Sequence, residues 1–226
     1  VTVSGSNVGI GTSSPSGYDS RTNNLVVGDA GDAGITIFSG ATSNARLQFA
    51  PSGSTGLDNG LIGYDNSNDS MVFATGGSDR MRIDSAGRVT MPYQPAFMSA
   101  NVGASVTLAN GGEVICTTVV FNTGSHYNNT TGRFTAPISG IYMFTYAAFN
   151  PDGGNKQFAP KLNGSDFGFG DTFGIFDTGP TAPNQVKGLT ILINLSANDS
   201  MSFGFRNGYS GTVYLGHSYF GGYLLG

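Results

Sequence analysis

The chain has 226 residues and a formal net charge of −4, and 38% of its residues are hydrophobic while only 11% are charged. That balance supplies enough apolar side chains for a core and argues against a disordered chain, despite the 36 glycines. Mildly acidic, mixed charge excludes the basic surface typical of nucleic-acid binding, and no apolar run approaches the roughly 20 residues of a membrane-spanning helix.

Residues 1–92 alternate short apolar segments with turns rich in glycine, serine and asparagine. The segments are VTV, VGI, LVV, ITIF, RLQF, LIGY, MVFA, RMRI and RVTM. Each is too short to form a two-sided core alone, and the composition favours strands over helices. We therefore predict a β-rich shaft in which stacked or intertwined copies supply the core that one copy lacks.

Residues 93–226 contain longer strand-like segments separated by typical turn sequences such as NPDGGN, SANDS and RNGYSG. The segments are IYMFTYAAF, QFAPKLNG, VKGLTILINL, SMSFGFR, TVYLG and SYFGGYLL. Strands at this spacing predict a β-sandwich or a jelly roll. We place the domain boundary at MPYQP, where Pro92 and Pro95 bracket a short connector. Because the chain opens at Val1 and not at a methionine, we expect a fragment or a processed product of a longer protein.

Motifs in the second half, in this order and spacing, resemble the globular head of complement component one-q. They are PAFMSA, VVFNTG, TGRFTAPISGIYMFTYAA, KLNG, GLTILINLSANDSMSF and the terminal SYFGGYLL. The resemblance implies an all-β, ten-stranded jelly roll of the tumour-necrosis-factor type, assembled as a tight homotrimer. In the first half, NVGIGTSSP and MRIDSAGRVTMP resemble segments of bacteriophage tail fibres, which implies a fibre shaft that ends in a trimeric knob.

Strand alternation bears on how such a trimer would form. In IYMFTYAAF, one face carries aromatic residues and the other carries Ile141, Met143 and Thr145. A strand with two apolar faces is expected deep in a sandwich or at a subunit interface. We assign these aromatic segments to the trimer interface or core, with the core of a single chain as the alternative. The assigned residues are Tyr142, Phe144, Tyr146, Tyr219, Phe220, Tyr223 and Leu224.

Residues suited to catalysis or metal binding are sparse. Glu113 is the only glutamate, and most aspartates lie in turns, where they commonly accept nearby backbone hydrogen bonds. His126 and His217 are far apart in sequence, and Cys116 lies in the strand-like VICTTVVF, which predicts a buried thiol. We therefore predict no enzymatic activity, no cofactor and no metal site. Two alternatives stay open: a metal on a trimer axis held by one histidine from each copy, and calcium at DNSNDS (65–70).

The loops of the knob can be assigned to its two ends. Successive loops of an antiparallel jelly roll alternate between the ends, and the resemblance implies that both termini lie at the base. Counting back from the C terminus assigns 196–200 and 161–166 to the base. The apical loops are 206–211, 176–184, 150–156 and, by the same count, 128–132.

The apical loops carry exposed aromatic, amide and charged groups that suit contact with a partner. Tyr209 is the first candidate, because a tyrosine between glycines can stack on a sugar ring or a protein surface. The alternative is that Tyr209 folds back onto the barrel. The predicted binding residues are Tyr209, Arg206, Asn207, Phe176, Asp177, Asn150, Asp152 and Lys156.

Together the two halves indicate a phage tail fibre or receptor-binding fibre tip, extracellular and part of the virion. It would bind a host cell-surface receptor, either a glycan or an outer-membrane protein, and would contact other tail proteins. Three equal apical sites would give avidity. The alternatives are a structural head or capsid fibre with the knob as trimerisation clamp, a secreted complement-head-type binding protein, and a depolymerase.

Overall fold

A computed structural model describes residues 1–53, 59–101, 105–151, 156–168, 176–177 and 185–226, with only the backbone described at 150, 176, 177, 185 and 187. The described chain is all-β apart from one short 3-10 helix at Pro15–Gly17. It divides into two compact units, Val1–Met91 and Pro92–Gly226. No helix among the described residues is long and apolar enough to cross a membrane.

The first unit opens with a three-stranded sheet in the order β1-β2-β3. Its strands are β1 (Thr2–Ser4), β2 (Asn7–Ile10) and β3 (Leu25–Val27). β1 and β2 form an antiparallel hairpin, and β3 pairs with β2 in parallel. Just beyond the parallel pair, Gly11 has a positive φ of 79° and a Cβ there would collide with the Gly28 carbonyl. The NVGIGT motif therefore needs a glycine at this close approach.

A five-stranded antiparallel sheet follows, in the order β4-β5-β6-β7-β8. Its strands are β4 (Asn44–Phe49), β5 (Gly60–Asp65), β6 (Ser70–Thr75), β7 (Ser78–Ile83) and β8 (Val89–Thr90). In the DNSNDS turn, hydrogen bonds from the Ser67 hydroxyl and the Asn68 side chain, at 2.6 and 2.7 Å, lower the pKa of Asp65 to about 2. The alternating oxygen-bearing side chains of this turn are thus used in closing the turn.

The second unit consists of two antiparallel six-stranded sheets that form a jelly roll. The long-strand sheet has the order β11-β9-β20-β14-β18 with β10 on β20, and the short-strand sheet has the order β12-β13-β19-β15-β16 with β17 on β15. The strands are β9 (Ala96–Ala100), β10 (Ser105–Leu108), β11 (Thr118–Thr123), β12 (Tyr127–Asn128), β13 (Arg133–Thr135), β14 (Gly140–Asn150), β15 (Gln157–Leu162), β16 (Ser165–Asp166), β17 (Phe176–Asp177), β18 (Gln185–Leu195), β19 (Ser200–Phe205) and β20 (Gly211–Leu224).

The core between the two sheets is largely aromatic. Phe97 stacks on Tyr127 and Phe134, with ring centroids 4.7 and 5.0 Å apart. The buried Tyr127 hydroxyl donates to the carbonyl of Cys116 at 2.8 Å, so its polar end is satisfied. The fully buried aromatic side chains are Phe97, Phe134, Tyr142, Phe144, Tyr146, Phe158, Phe203, Phe205 and Phe220.

Gly222 makes room for this packing. It lies on β20 directly opposite Phe144, and a Cβ there would collide with the Phe144 ring and lie 2.8 Å from the Met143 carbonyl oxygen. We expect Gly222→Ala to lower the free energy of unfolding by about 1–3 kcal/mol, the usual cost of overpacking a core. Urea denaturation measures this. Gly226→Ala is the control, because the space around Gly226 is open; equal losses in both variants would contradict the prediction.

Candidate functional site

The base of the jelly roll is identified by contacts among its turns. The Asn198 amide donates to the Ala136 carbonyl at 2.7 Å, and the Asn163 side chain donates to the Asp199 carboxylate at 2.9 Å. The chain end joins them, since the Gly226 carbonyl accepts the amide of the second residue of β14 at 2.7 Å. The turns after β13, β15 and β18 therefore share one end with the C terminus.

The loop 206–211 lies at the opposite end, the apex. β19 runs away from the base and β20 returns to it, so the loop between them is apical. Two hydrogen bonds attach the loop to the turn after β10: the Gly208 amide donates to Asn110 Oδ1 at 2.6 Å, and the Gly111 amide donates to the Tyr209 carbonyl at 3.1 Å. These hydrogen bonds therefore preorganise the backbone of the loop in the absence of a partner.

A buried ion pair provides a third attachment. The Lys161 side chain is 1% exposed and its Nζ donates to Asp166 Oδ1 at 2.5 Å, while Asp166 Oδ2 accepts the Asn207 backbone amide at 2.8 Å. Beside it, the Arg206 guanidinium donates to Gln157 Oε1 at 2.8 Å. Asp166, assigned from the sequence to a basal turn, therefore helps to hold the apical loop, because β16 folds back along β15.

The exposed side chains of this loop are polar. Asn207 and Ser210 are exposed, whereas Arg206 is half-buried. Tyr209 is also half-buried and packs against the hydrophobic core, as in the alternative that folds it back onto the barrel. Lys156 lies over Gly211 and so belongs to the apex. The loop therefore presents an amide and a hydroxyl outward, and its tyrosine contributes to packing.

The other predicted binding residues are only partly placed. Asp152 lies outside the described residues. β17, formed by Phe176 and Asp177, pairs with the first residues of β15, and the backbone of Asn150 ends β14 opposite β18. Their backbones thus lie toward the apical end, and their side chains are not described.

The predicted interface residues separate into two faces. Tyr142, Phe144, Tyr146 and Phe220 are at most 1% exposed in a single chain, so they belong to the core of one copy and leave no surface for a partner. Leu224 is also buried on this inner face, opposite Tyr142. Two members of the set, Tyr219 and Tyr223, lie on the outer face, where they remain half-buried and exposed respectively.

The outer face of the long-strand sheet is apolar. Met143 lies between Leu192 on β18 and Tyr223 on β20, and Phe121 lies opposite Met98 at the other side of the sheet. Leu192 is 64% exposed. Met98, Phe121, Met143 and Tyr223 line a shallow depression of about 220 Å³ beside it. We name Met98, Phe121, Met143, Leu192 and Tyr223 the outer apolar face.

A groove on the flank of the jelly roll was not predicted from the sequence. Its volume is about 530 Å³. The turn 128–132, predicted to be apical, forms one wall, since Asn129 donates to the Thr117 carbonyl at 3.1 Å. The residues that line the groove come from four segments that are separate in sequence, so no local motif indicates it. The lining residues are Val106, Leu108, Glu113, Ile115, Thr117, Asn129, Thr130 and Leu215.

Cys116, His126 and Glu113 are buried, half-buried or paired, whereas His217 is exposed beside the rings of Phe149 and Tyr214. Burial raises the pKa of the Cys116 thiol to about 12 and lowers the pKa of His126. The Glu113 carboxylate accepts two hydrogen bonds from Arg133, at 2.6 and 3.0 Å. Among the described residues, no three His, Cys, Asp or Glu side chains group closely enough to hold a metal ion.

Comparison with known proteins agrees with the geometry of the second unit. A family model described as the C1q domain matches residues 96–225, more than half of the chain. Similar solved structures include the globular domain of a zebrafish complement 1qA protein, with 14% identity, a TM-score of 0.44, and coverage of 59% of this chain and 98% of that chain. Eiger TNF from S. frugiperda is 13% identical to this chain, with a TM-score of 0.43 and coverage of 60% of this chain and 94% of that chain. A PRD1 vertex protein is 14% identical, with a TM-score of 0.39 and coverage of 61% of this chain and 100% of that chain.

Proposed function

The chain belongs to the C1q-domain family, and on that premise we propose that it is a non-catalytic homotrimeric adhesin at the tip of a bacteriophage tail fibre. Domains of this family are typically extracellular binding or signalling modules that form homotrimers. In this proposal residues 93–226 form the receptor-binding knob and residues 1–92 form the end of the shaft.

The observation that carries the proposal is the outer apolar face. A long sheet whose inner face is already buried exposes a second apolar surface that includes Phe121, Met143 and Leu192. Contiguous apolar patches of several hundred Å² mark interaction sites. Copies of the same face packed around a common axis would bury it, as the homotrimers typical of the family do.

A trimer would present three copies of loop 206–211 at one end. Each copy offers the exposed side chains of Asn207 and Ser210 on a backbone fixed by the Asn110 and Asp166 contacts. Amide and hydroxyl groups supply directional hydrogen bonds, which suit the hydroxyl-rich surface of a glycan or the loops of an outer-membrane protein. Three weak contacts would then add up through avidity.

The shaft assignment is supported by the first unit. Its NVGIGTSSP and MRIDSAGRVTMP segments resemble tail-fibre sequences, and its strands are short and separated by glycine-rich turns. A glycine is required beside Gly28 for the close approach of two strands. Such a segment suits a repeated fibre more than an independent enzyme domain.

Adsorption to host cells tests the function. Purified trimer carrying Asn207→Ala and Ser210→Ala should bind host cells at least about thirtyfold more weakly, because the two lost hydrogen bonds contribute roughly 2 kcal/mol at each site. Ser165→Ala, an exposed serine on β16, is the control and should bind as the wild type does. If exchanging the whole knob leaves host range unchanged, the receptor-binding role is wrong and a structural virion fibre is favoured.

A further inference from the structure

The five-stranded sheet of the first unit has one largely apolar face. Cross-strand register brings Leu47, Ile62, Phe73 and Met81 into one row across four strands. Neighbouring rows continue the same face. We name this the shaft face; its residues are Ala45, Leu47, Phe49, Ile62, Tyr64, Met71, Phe73, Met81, Ile83 and Val89.

Apart from Arg80, which donates to Thr75 at the margin of the shaft face, the charged side chains on the strands of this sheet lie on its other face. Arg82 donates to Asp79 at 2.8 Å and to Ser70 at 2.7 Å, and it lies 3.6 Å from Asp65. Arg46 lines the same polar depression. Charges paired in this way are suited to solvent, so the polar face is the outer surface of the sheet and the shaft face is the one that needs a cover.

A single copy does not provide that cover. Among the described residues of the five-stranded sheet, Val72 and Ala74 are the only aliphatic or aromatic side chains that are buried, and both lie on the polar face. On the shaft face, Leu47 and Phe49 are 50% and 54% exposed. A sheet that is hydrophobic on one face must bury that face against another element to form a stable domain.

We propose that the shaft face packs against the same face of the other two copies of this chain, forming an interface in addition to that of the knob. This inference rests on the trimer of the proposed function. The central rows of the face, which include Leu47, Ile62 and Phe73, carry no charge, and Arg80 lies at the margin, where it donates to Thr75 beside the turn between β6 and β7. Identical copies can therefore pack the centres of their faces together without burying an unpaired ion there. Facing sheets pack about 10 Å apart, with side chains interdigitated.

The size of the face favours a second copy over an unrelated protein. Five strands about 4.8 Å apart and about six residues long give roughly 400 Å² per copy. A free partner usually needs about 800 Å² on each side to form a stable complex. Only residues 91–95 separate β8 from β9, a reach of about 17 Å. Knob trimerisation therefore holds three shaft faces at millimolar effective concentration, where a small interface suffices.

Cysteine accessibility tests this interface in the full chain. Leu47→Cys and Gln48→Cys are neighbours on β4, both exposed in one copy, on opposite faces of the sheet. The native Cys116 is buried with its pKa raised to about 12, so it contributes little background. Under native conditions a maleimide reagent should label Leu47→Cys at least tenfold more slowly than Gln48→Cys. Ile62→Cys, opposite Leu47, is the second variant if the first misfolds.

Native mass measured on the same samples separates the outcomes. A trimer with slow labelling of Leu47→Cys and Ile62→Cys supports the shaft interface. A trimer in which these cysteines label as fast as Gln48→Cys overturns it and leaves the knob trimer intact. A monomer overturns both the shaft interface and the trimer of the proposed function.

Discussion

Met143→Asp should convert the proposed trimer into monomers at micromolar concentration. Met143 lies at the centre of the outer apolar face, between Leu192 and Tyr223. Each copy would have to bury an unpaired carboxylate, which costs several kcal/mol per ion, and a trimer would bury three of them. Sedimentation velocity or native mass spectrometry measures the change, and circular dichroism checks that the strands are retained.

Ile138→Asp is the matched control. Ile138 is 51% exposed in the turn between β13 and β14, and its backbone carbonyl, which accepts the Tyr142 hydroxyl at 2.8 Å, is unaffected by the substitution. It introduces the same charge outside the outer apolar face. We expect this variant to remain a trimer. A trimeric Met143→Asp variant would show that copies associate through another surface.

The pattern of β14 shows what strand alternation can predict. The sequence correctly predicts that both faces of IYMFTYAAF are largely apolar. That a partner covers the second face stays a prediction, because Ile141 is 49% exposed in a single chain. The sequence does not determine which face is internal, because alternation sorts the side chains into two faces but does not show which of two apolar faces points into the core. Gly222 allows the aromatic face to be the inner one. It has no side chain and lies opposite Phe144, so it leaves space for the Phe144 ring in the core. On β14, Ile141 and Met143, and not the aromatic residues, are therefore left for a partner.

The resemblance to the complement head predicted the jelly roll, and the match over residues 96–225 confirms it. Loop alternation also predicted which end carries loop 206–211. The details of that loop depend on contacts distant in sequence, such as Asn110 to Gly208 and Asp166 to Asn207. No local pattern indicates such contacts. The residue type of Tyr209 predicts a contact with a partner, whereas in the structure Tyr209 packs against the core.

The amphipathic sheet of the first unit was less accessible to sequence reasoning. Its apolar segments were recognised, but MVFA and RMRI do not show which residues share a face, because the register depends on the turns and on a bulge at Phe73. Once the register is known, one face is charged and the other is largely apolar. The sequence-based expectation that copies supply the missing core then becomes a specific surface that can be tested.

Asp166→Ala should be the most destabilising substitution at the apex. It leaves the Lys161 ammonium, on a side chain that is 1% exposed, without its carboxylate, and it removes the acceptor of the Asn207 amide. Breaking a buried pair costs about 3–5 kcal/mol; because Asp166 is partly exposed, we expect about 3 kcal/mol. Urea denaturation measures the free energy of unfolding, and hydrogen exchange at Asn207 reports the release of the loop.

Two further variants separate the ion pair from the loop contact. Lys161→Met in the Asp166→Ala background removes the uncompensated charge and should recover much of the stability, while hydrogen exchange at Asn207 stays fast. Asp166→Asn keeps an oxygen that can accept the Asn207 amide but removes the negative charge, so stability should fall while protection of that amide is partly retained. If Asp166→Ala changes the free energy of unfolding by less than about 0.5 kcal/mol, as ordinary surface substitutions do, the pair does not anchor the apical loop.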